Sequence, residues 1–180
     1  MTPSIHDFLA ADHARLDGLV AVALAADGLD LAAYEQFRAG LLRHIGMEEK
    51  ILLPAAKRAR GGTALPAARL LRHDHSALAA LLVPTPTRAL LERIRAVLAL
   101  HNPLEEGADG VYAACERLAG PDADALLAQL RATPPVPVAA HFDGPRAFEA
   151  IERLLYAAGD ARGDGTLFLR TLPAHDPCRQ

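Results

Sequence analysis

The stretch HIGMEEK, residues 44–50, puts an imidazole and a carboxylate into an apolar helical pattern. His44 and Glu48 stand four apart, among apolar residues that recur at helical spacing. In an α-helix this spacing puts both on one face, about 6 Å apart along the axis. Phe37, Leu41, Ile51 and Ala55 fall on the same side, so it is a face that packing buries. A carboxylate there is costly unless it finds a partner. The chain repeats the arrangement as HNPLEEG, residues 101–107, with His101 and Glu105 again four apart. Two such pairs on apolar faces call for a common partner.

Working outward, periodicity predicts a first helix over residues 4–27, capped by Ser4 with Asp7 three residues on. Gly28 and Asp30 mark a turn, and a second helix runs from Asp30 to about residue 59, stopped by Gly61-Gly62. A third helix covers 65–82, with Pro66 in its first turn. VPTPT at 83–87 breaks the chain, and a fourth periodic segment covers 88–118 up to Gly120-Pro121. A short helix at 122–131, an extended TPPVPV connector at 133–138 and a last helix at 145–158 follow. The tail, 159–180, is rich in Gly, Asp and Pro around one apolar run, TLFLRTL. The expected architecture is all-α: an antiparallel up-down four-helix bundle over residues 1–120, with a C-terminal helical extension, partly irregular, over 121–180.

The turns themselves set a polar layer. In an antiparallel hairpin, residues equally far from the turn share a height. His13 and His44 are equidistant from the Gly28-Leu29 bond, Glu48 and His75 from the Gly61-Gly62 bond, and His75 and His101 from Arg88. His13, His44, Glu48, His75, His101 and Glu105 therefore converge. Four imidazoles and two carboxylates can hold two metal ions, with each carboxylate bridging. Mixed nitrogen and oxygen ligands suit iron, manganese or zinc.

Composition narrows the function classes. Of 180 residues, 51% are hydrophobic, mostly Ala and Leu, and Trp is absent, which favours helix over sheet. The net charge of −3 lacks the concentrated basic surface of a nucleic-acid binder. Arg, Asp and His interrupt every apolar stretch, so no membrane span is expected. The opening MTPSIHDFLAADH has no basic leader, and Cys115 and Cys178 form no CxxC motif. A soluble, cytoplasmic protein is the expectation.

The pattern resembles the hemerythrin-like, or HHE cation-binding, family over about residues 5–118. The matching pieces are Asp12-His13, HIGMEE at 44–49, Asp74-His75 and HNPLEE at 101–106. The resemblance implies a four-helix bundle around a non-haem di-iron centre, with the six residues above as ligands and Glu48 and Glu105 bridging. Two iron ions are then the expected cofactor, with zinc or manganese as other occupants. The implied function is binding or sensing of oxygen, nitric oxide or a related small ligand. A di-iron redox enzyme is the alternative: it would reduce peroxide or nitric oxide or repair iron centres, and would require a redox partner. A metal-binding helical interaction module is a third reading. The residues select no oligomeric state.

The chain departs from an oxygen carrier's pattern in its third helix. Leu71 and Ala79 stand where a fifth His would share the face of His75. Pro103, between His101 and Glu105, is expected to kink the segment or restart the helix after Asn102. No family pattern covers residues 134–180. Among the neighbours, Glu49 and Glu106 read as solvated or outer groups, and Asp12 and Asp74 as surface or capping groups. Tyr112, seven beyond Glu105, reads as a core residue, with a hydrogen bond near the cluster as the less common outcome; Cys115 reads as core, Tyr34 as end packing, and His6, His141 and His175 as solvent or tail groups.

Overall fold

The computed structural model describes residues 4–25 and 28–163. Expectations placed on TLFLRTL, His175 and Cys178 lie outside these residues. The described chain is all-helical, with no strand. No described helix is long and apolar enough to cross a membrane.

Helix α1 is Ile5–Ala25. Its start is a reciprocal cap: the Asp7 N–H donates to Ser4 Oγ at 3.0 Å and the Ser4 N–H to Asp7 Oδ2 at 3.1 Å. Helix α2, Leu31–Met47, is capped by Asp30, which accepts from the Ala33 N–H. It continues through a π-helical turn, Glu48–Leu52, into α3, Leu53–Ala59. Pro54 explains that turn. Proline has no N–H to give and its ring crowds the carbonyl four residues back. The helix widens ahead of it, and the Leu53 N–H donates to the Glu48 carbonyl, five residues earlier. Helix α4 is Ala68–Leu81 and α5 is Arg88–Glu106, the latter capped by Thr87.

Neighbouring helices run in opposite senses. Asp12 meets His44 while Leu16 lies beside Gly40. Arg38 donates to the Leu82 carbonyl while Glu49 meets His75. His13 meets Glu106 while Arg88 donates to the Gly28 carbonyl. Two apolar clusters fill the interior. One contains Leu16, Val20, Phe37, Leu41, Leu78, Ile94 and Val97. The other contains Ile5, Leu9, Met47, Leu52, Leu71 and Tyr112. On α1, His13 falls between Leu9 and Leu16; on α2, His44 falls between Leu41 and Met47. The polar layer thus sits between two apolar layers.

Three departures from the expected elements bear on that layer. The third helix begins at Ala68 rather than residue 65, because Leu65 to Ala67 form a turn closed by the Ala68 N–H on the Leu65 carbonyl. The fourth segment is not one helix to residue 118. It ends at Glu106, turns through Gly107–Gly110, and restarts as α6, Val111–Ala119. The Gly110 N–H donates to the Gly107 carbonyl at 2.7 Å. A Cβ on Gly110 would lie 2.5 Å from the Glu105 carbonyl oxygen, so only glycine allows this turn. Pro103 lies inside α5 and does not end it.

Helices α7, Ala123–Arg131, and α8, Pro145–Ala161, complete the described chain. Leu126, Leu127 and Leu130 of α7 join the cluster around Ile5, and Ile151, Leu155 and Ala158 of α8 join the cluster around Leu78.

Candidate metal centre

All six sequence-derived site residues meet in one buried layer. His13, His44, Glu48, His75, His101 and Glu105 are each at most 5% exposed. Their ligand atoms form two overlapping sets: His13, His44, Glu48 and Glu105, and Glu48, His75, His101 and Glu105. Within each set the atoms lie within 4.8 Å of one another. Metal bonds to imidazole nitrogen or carboxylate oxygen run about 2.0–2.2 Å, so opposed ligands of one ion sit about 4 Å apart. The spacing fits one ion per set, and the two shared carboxylates fit bridges. The His101–Glu105 pair keeps its helical register across Pro103, with Nε2 3.1 Å from Glu105 Oε2. His44 and Glu48 form the matching pair at 3.2 Å.

Each imidazole is aimed by a carboxylate on its far nitrogen. His44 Nδ1–H donates to Asp12 at 2.9 Å, and His75 Nδ1–H donates to Glu49 at 2.9 Å. His101 Nδ1–H donates to Asp74 at 3.0 Å, and His13 Nδ1–H donates to Glu106 at 2.6 Å. These bonds form a closed ring from α1 to α2, from the π-helical turn that continues α2 to α4, then to α5 and back to α1. They fix the tautomer and leave every Nε2 facing inward, the orientation that metal-binding histidines need. The reading of Asp12 and Asp74 as surface or capping groups is therefore wrong. Asp74 is fully buried and also receives a two-pronged contact from Arg162, at 2.7 and 2.6 Å. Glu49 and Glu106 are outer groups, but they are bound to histidines rather than left to solvent. The signal was in the sequence: each D-H and each E-E doublet pairs a candidate ligand with an aiming carboxylate.

His6 also departs from its solvent reading. Its Nε2–H donates to the Glu106 carbonyl at 2.9 Å, and its ring stands edge-on to Tyr112. His141 pairs with Glu35 at 2.7 Å, away from the layer. Tyr112 is fully buried, as a core residue should be, but its hydroxyl enters the site. It donates toward Glu48 Oε1 at 2.5 Å and lies 3.0 Å from Glu105 Oε2, 3.1 Å from His44 Nε2 and 3.2 Å from His13 Nε2.

The electrostatics are those of a site that protons and cations compete for. Burial opposes charge on His44 and His75, yet the carboxylates outweigh it. Glu48 and Asp12 push His44 up to about 10, and Glu48 and Glu49 push His75 up to about 10. Burial likewise opposes charge on His101, but Glu105 and Asp74 raise it to about 9. His13 shifts downward, through burial and the His44 ring at 4.4 Å, since two adjacent imidazoles resist sharing positive charge. Burial disfavours the Glu48 carboxylate, but His44 and His75 hold it well below the usual range. Burial raises Tyr112 well above an ordinary phenol, and the charges of Glu48 and Glu105 add to the shift.

Three atoms test whether a cation fits. Glu48 Oε2, Glu105 Oε1 and His75 Nε2 are buried without a hydrogen-bond partner. His75 Nε2 and Glu48 Oε2 approach to 3.1 Å without hydrogen-bond alignment. Unpaired buried groups cost about 1–3 kcal/mol each, more when charged. All three belong to the His75–His101 set, where an ion bound by these four residues would partner them. Cys115 is a buried free thiol, pushed up to about 12 by burial and then by Glu48 and Glu105, and belongs to neither set. Comparison with known proteins finds no matching family model, curated protein or solved structure.

Proposed function

We propose that this chain is a hemerythrin-like, non-haem di-iron protein that binds or senses a small ligand such as oxygen or nitric oxide. Its frame is an antiparallel four-helix bundle of α1, α2 with α3, α4 and α5. His13 and His44 would hold one ion, His75 and His101 the other, and Glu48 and Glu105 would be shared between them. The observation that carries this reading is the pair of overlapping ligand sets sharing two carboxylates, with each imidazole aimed by its own carboxylate.

Iron at this place supplies a redox-active Lewis acid with affinity for small diatomic molecules. The protein's own part is positioning and exclusion. Asp12, Glu49, Asp74 and Glu106 hold the Nδ1 protons and set the ring orientations. Leu9, Leu16, Leu41 and Leu71, all buried, bound the layer and restrict water. Leu71 and Ala79 add no ligand on α4, so the His75–His101 side has fewer protein ligands than a five-histidine site. That leaves a coordination position for an external ligand.

Metal analysis after anaerobic reconstitution, with an optical spectrum, tests the reading. Two iron ions per chain are expected. One tightly held zinc with no iron uptake would overturn it.

A further inference from the structure

The Tyr112 hydroxyl faces four ligand atoms of one set: Glu48 Oε1, Glu105 Oε2, His44 Nε2 and His13 Nε2, at 2.5–3.2 Å. None of its described hydrogen bonds goes to His75 or His101. We propose that Tyr112 is a protein ligand of the ion held by His13 and His44, coordinating through its phenolate oxygen. The proposal rests on the dinuclear reading above.

A phenolic hydroxyl has one proton to give. The Nδ1 protons of His13 and His44 are committed to Glu106 and Asp12, so in the neutral rings that coordination requires, both Nε2 atoms are acceptors. Two carboxylate oxygens converge on the same hydroxyl, so an ion held by these four atoms would have the phenolic oxygen, 2.5–3.2 Å from each of them, beside it. As the oxygen–metal bond forms, the hydroxyl proton leaves to solvent, and the phenolate completes the shell.

The position is built in. Gly110 permits a turn that a side chain would block at 2.5 Å, and that turn folds α6 back over the layer. Tyr112 is fully buried, so its hydroxyl has no solvent-facing alternative. The sequence has three tyrosines. Tyr34 packs beside Phe37 and His141 in the other apolar cluster, and Tyr156 is 57% exposed. Only Tyr112 touches the site.

Iron(III)-loaded protein, with iron counted in every sample, provides the test. Wild type should show a visible phenolate-to-iron charge-transfer band and resonance-enhanced phenolate vibrations that shift on ring deuteration of tyrosine. Tyr112→Phe should lose both while retaining two irons, and Tyr156→Phe should keep both. Wild type carrying two irons but lacking the band overturns the tyrosine ligand alone, and needs no folded variant. So does a two-iron Tyr112→Phe protein with the band unchanged. Wild type that takes up no iron overturns the dinuclear reading and the tyrosine ligand together, and the iron count separates that case from the others.

Discussion

Glu106 accepts a hydrogen bond from His13 Nδ1 at 2.6 Å, linking the end of α5 back to the middle of α1. This bond closes the ring that Asp12, Glu49 and Asp74 carry around the other helices. Each helix supplies an inward candidate ligand and, from the adjacent residue, the carboxylate that aims the next helix's histidine. Neighbouring residues on a helix lie about 100° apart, so one faces the interior while the other reaches the seam with the next helix.

The aiming carboxylates should matter to metal affinity without being ligands. Glu49→Gln and Glu106→Gln should each weaken binding about 10–100-fold and leave the capacity at two ions. Competition with a chelator of known affinity measures this. Unchanged affinity in both variants would show that the ring is incidental to metal binding.

The carboxylates proposed to bridge, Glu48 and Glu105, should behave differently. Glu48→Ala removes an oxygen donor from both sets, so both ions should be lost at stoichiometric iron. His141→Ala, at a residue that pairs with Glu35 and packs beside Tyr34, away from the layer, should bind as wild type does. Comparable metal loss in the two variants would discredit the ligand assignment.

Arg162 connects the end of α8 to the site through Asp74. Asp74 is fully buried, so Arg162→Met leaves it with His101 as its remaining charged partner, a loss of up to about 3 kcal/mol, the lower end for a broken buried pair. Urea unfolding of the metal-free protein reads that cost. Adding Asp74→Asn to Arg162→Met should recover part of the stability, because neither charge then stands alone. Strictly additive losses in the double variant would mean the two residues act separately.

Acidity offers a test of sign. In the metal-free protein, His44 and His75 are raised to about 10 and His101 to about 9, above the ordinary value of 6.5. Folding therefore takes up protons, and the stability these groups contribute is fully present below about pH 6.5. It is lost as pH rises through 9 and 10. Metal binding needs the same rings deprotonated, so its stabilisation grows over that window. Urea midpoints with and without metal should diverge from pH 6.5 to 10. A metal-free midpoint that rises across the window would contradict the charge arrangement.

Gly110→Ala should strain the turn that delivers Tyr112. The added methyl meets the Glu105 carbonyl, and overpacking of this kind costs about 1–3 kcal/mol. The thermal midpoint should fall, and the visible spectrum of the iron-loaded variant should change with it. A variant with wild-type stability would indicate that the turn relaxes freely.

The six inward residues were legible from sequence because helical rise and turn position are nearly local properties. His13, His44, Glu48, His75, His101 and Glu105 lie at matching distances from their turns, and their four-residue spacings put them on apolar faces. The caps at Ser4, Asp30 and Thr87 are local in the same way. What the linear pattern did not convey was helix rotation. Whether Asp74 points to solvent or across a seam to His101 depends on a few tens of degrees about the helix axis, and packing against the apolar clusters sets that angle. Arg162 reaches Asp74 only because α8 docks on α4, across 88 residues of chain. Tyr112 sits seven residues beyond Glu105, and a continuous helix would have carried its hydroxyl away along the axis. The Gly107–Gly110 turn reverses that, through close backbone contacts that exist only once α5 and α6 have packed. Which side chains share the layer follows from spacing along the chain; which atom of each faces inward, and what holds it there, follows from how the helices pack.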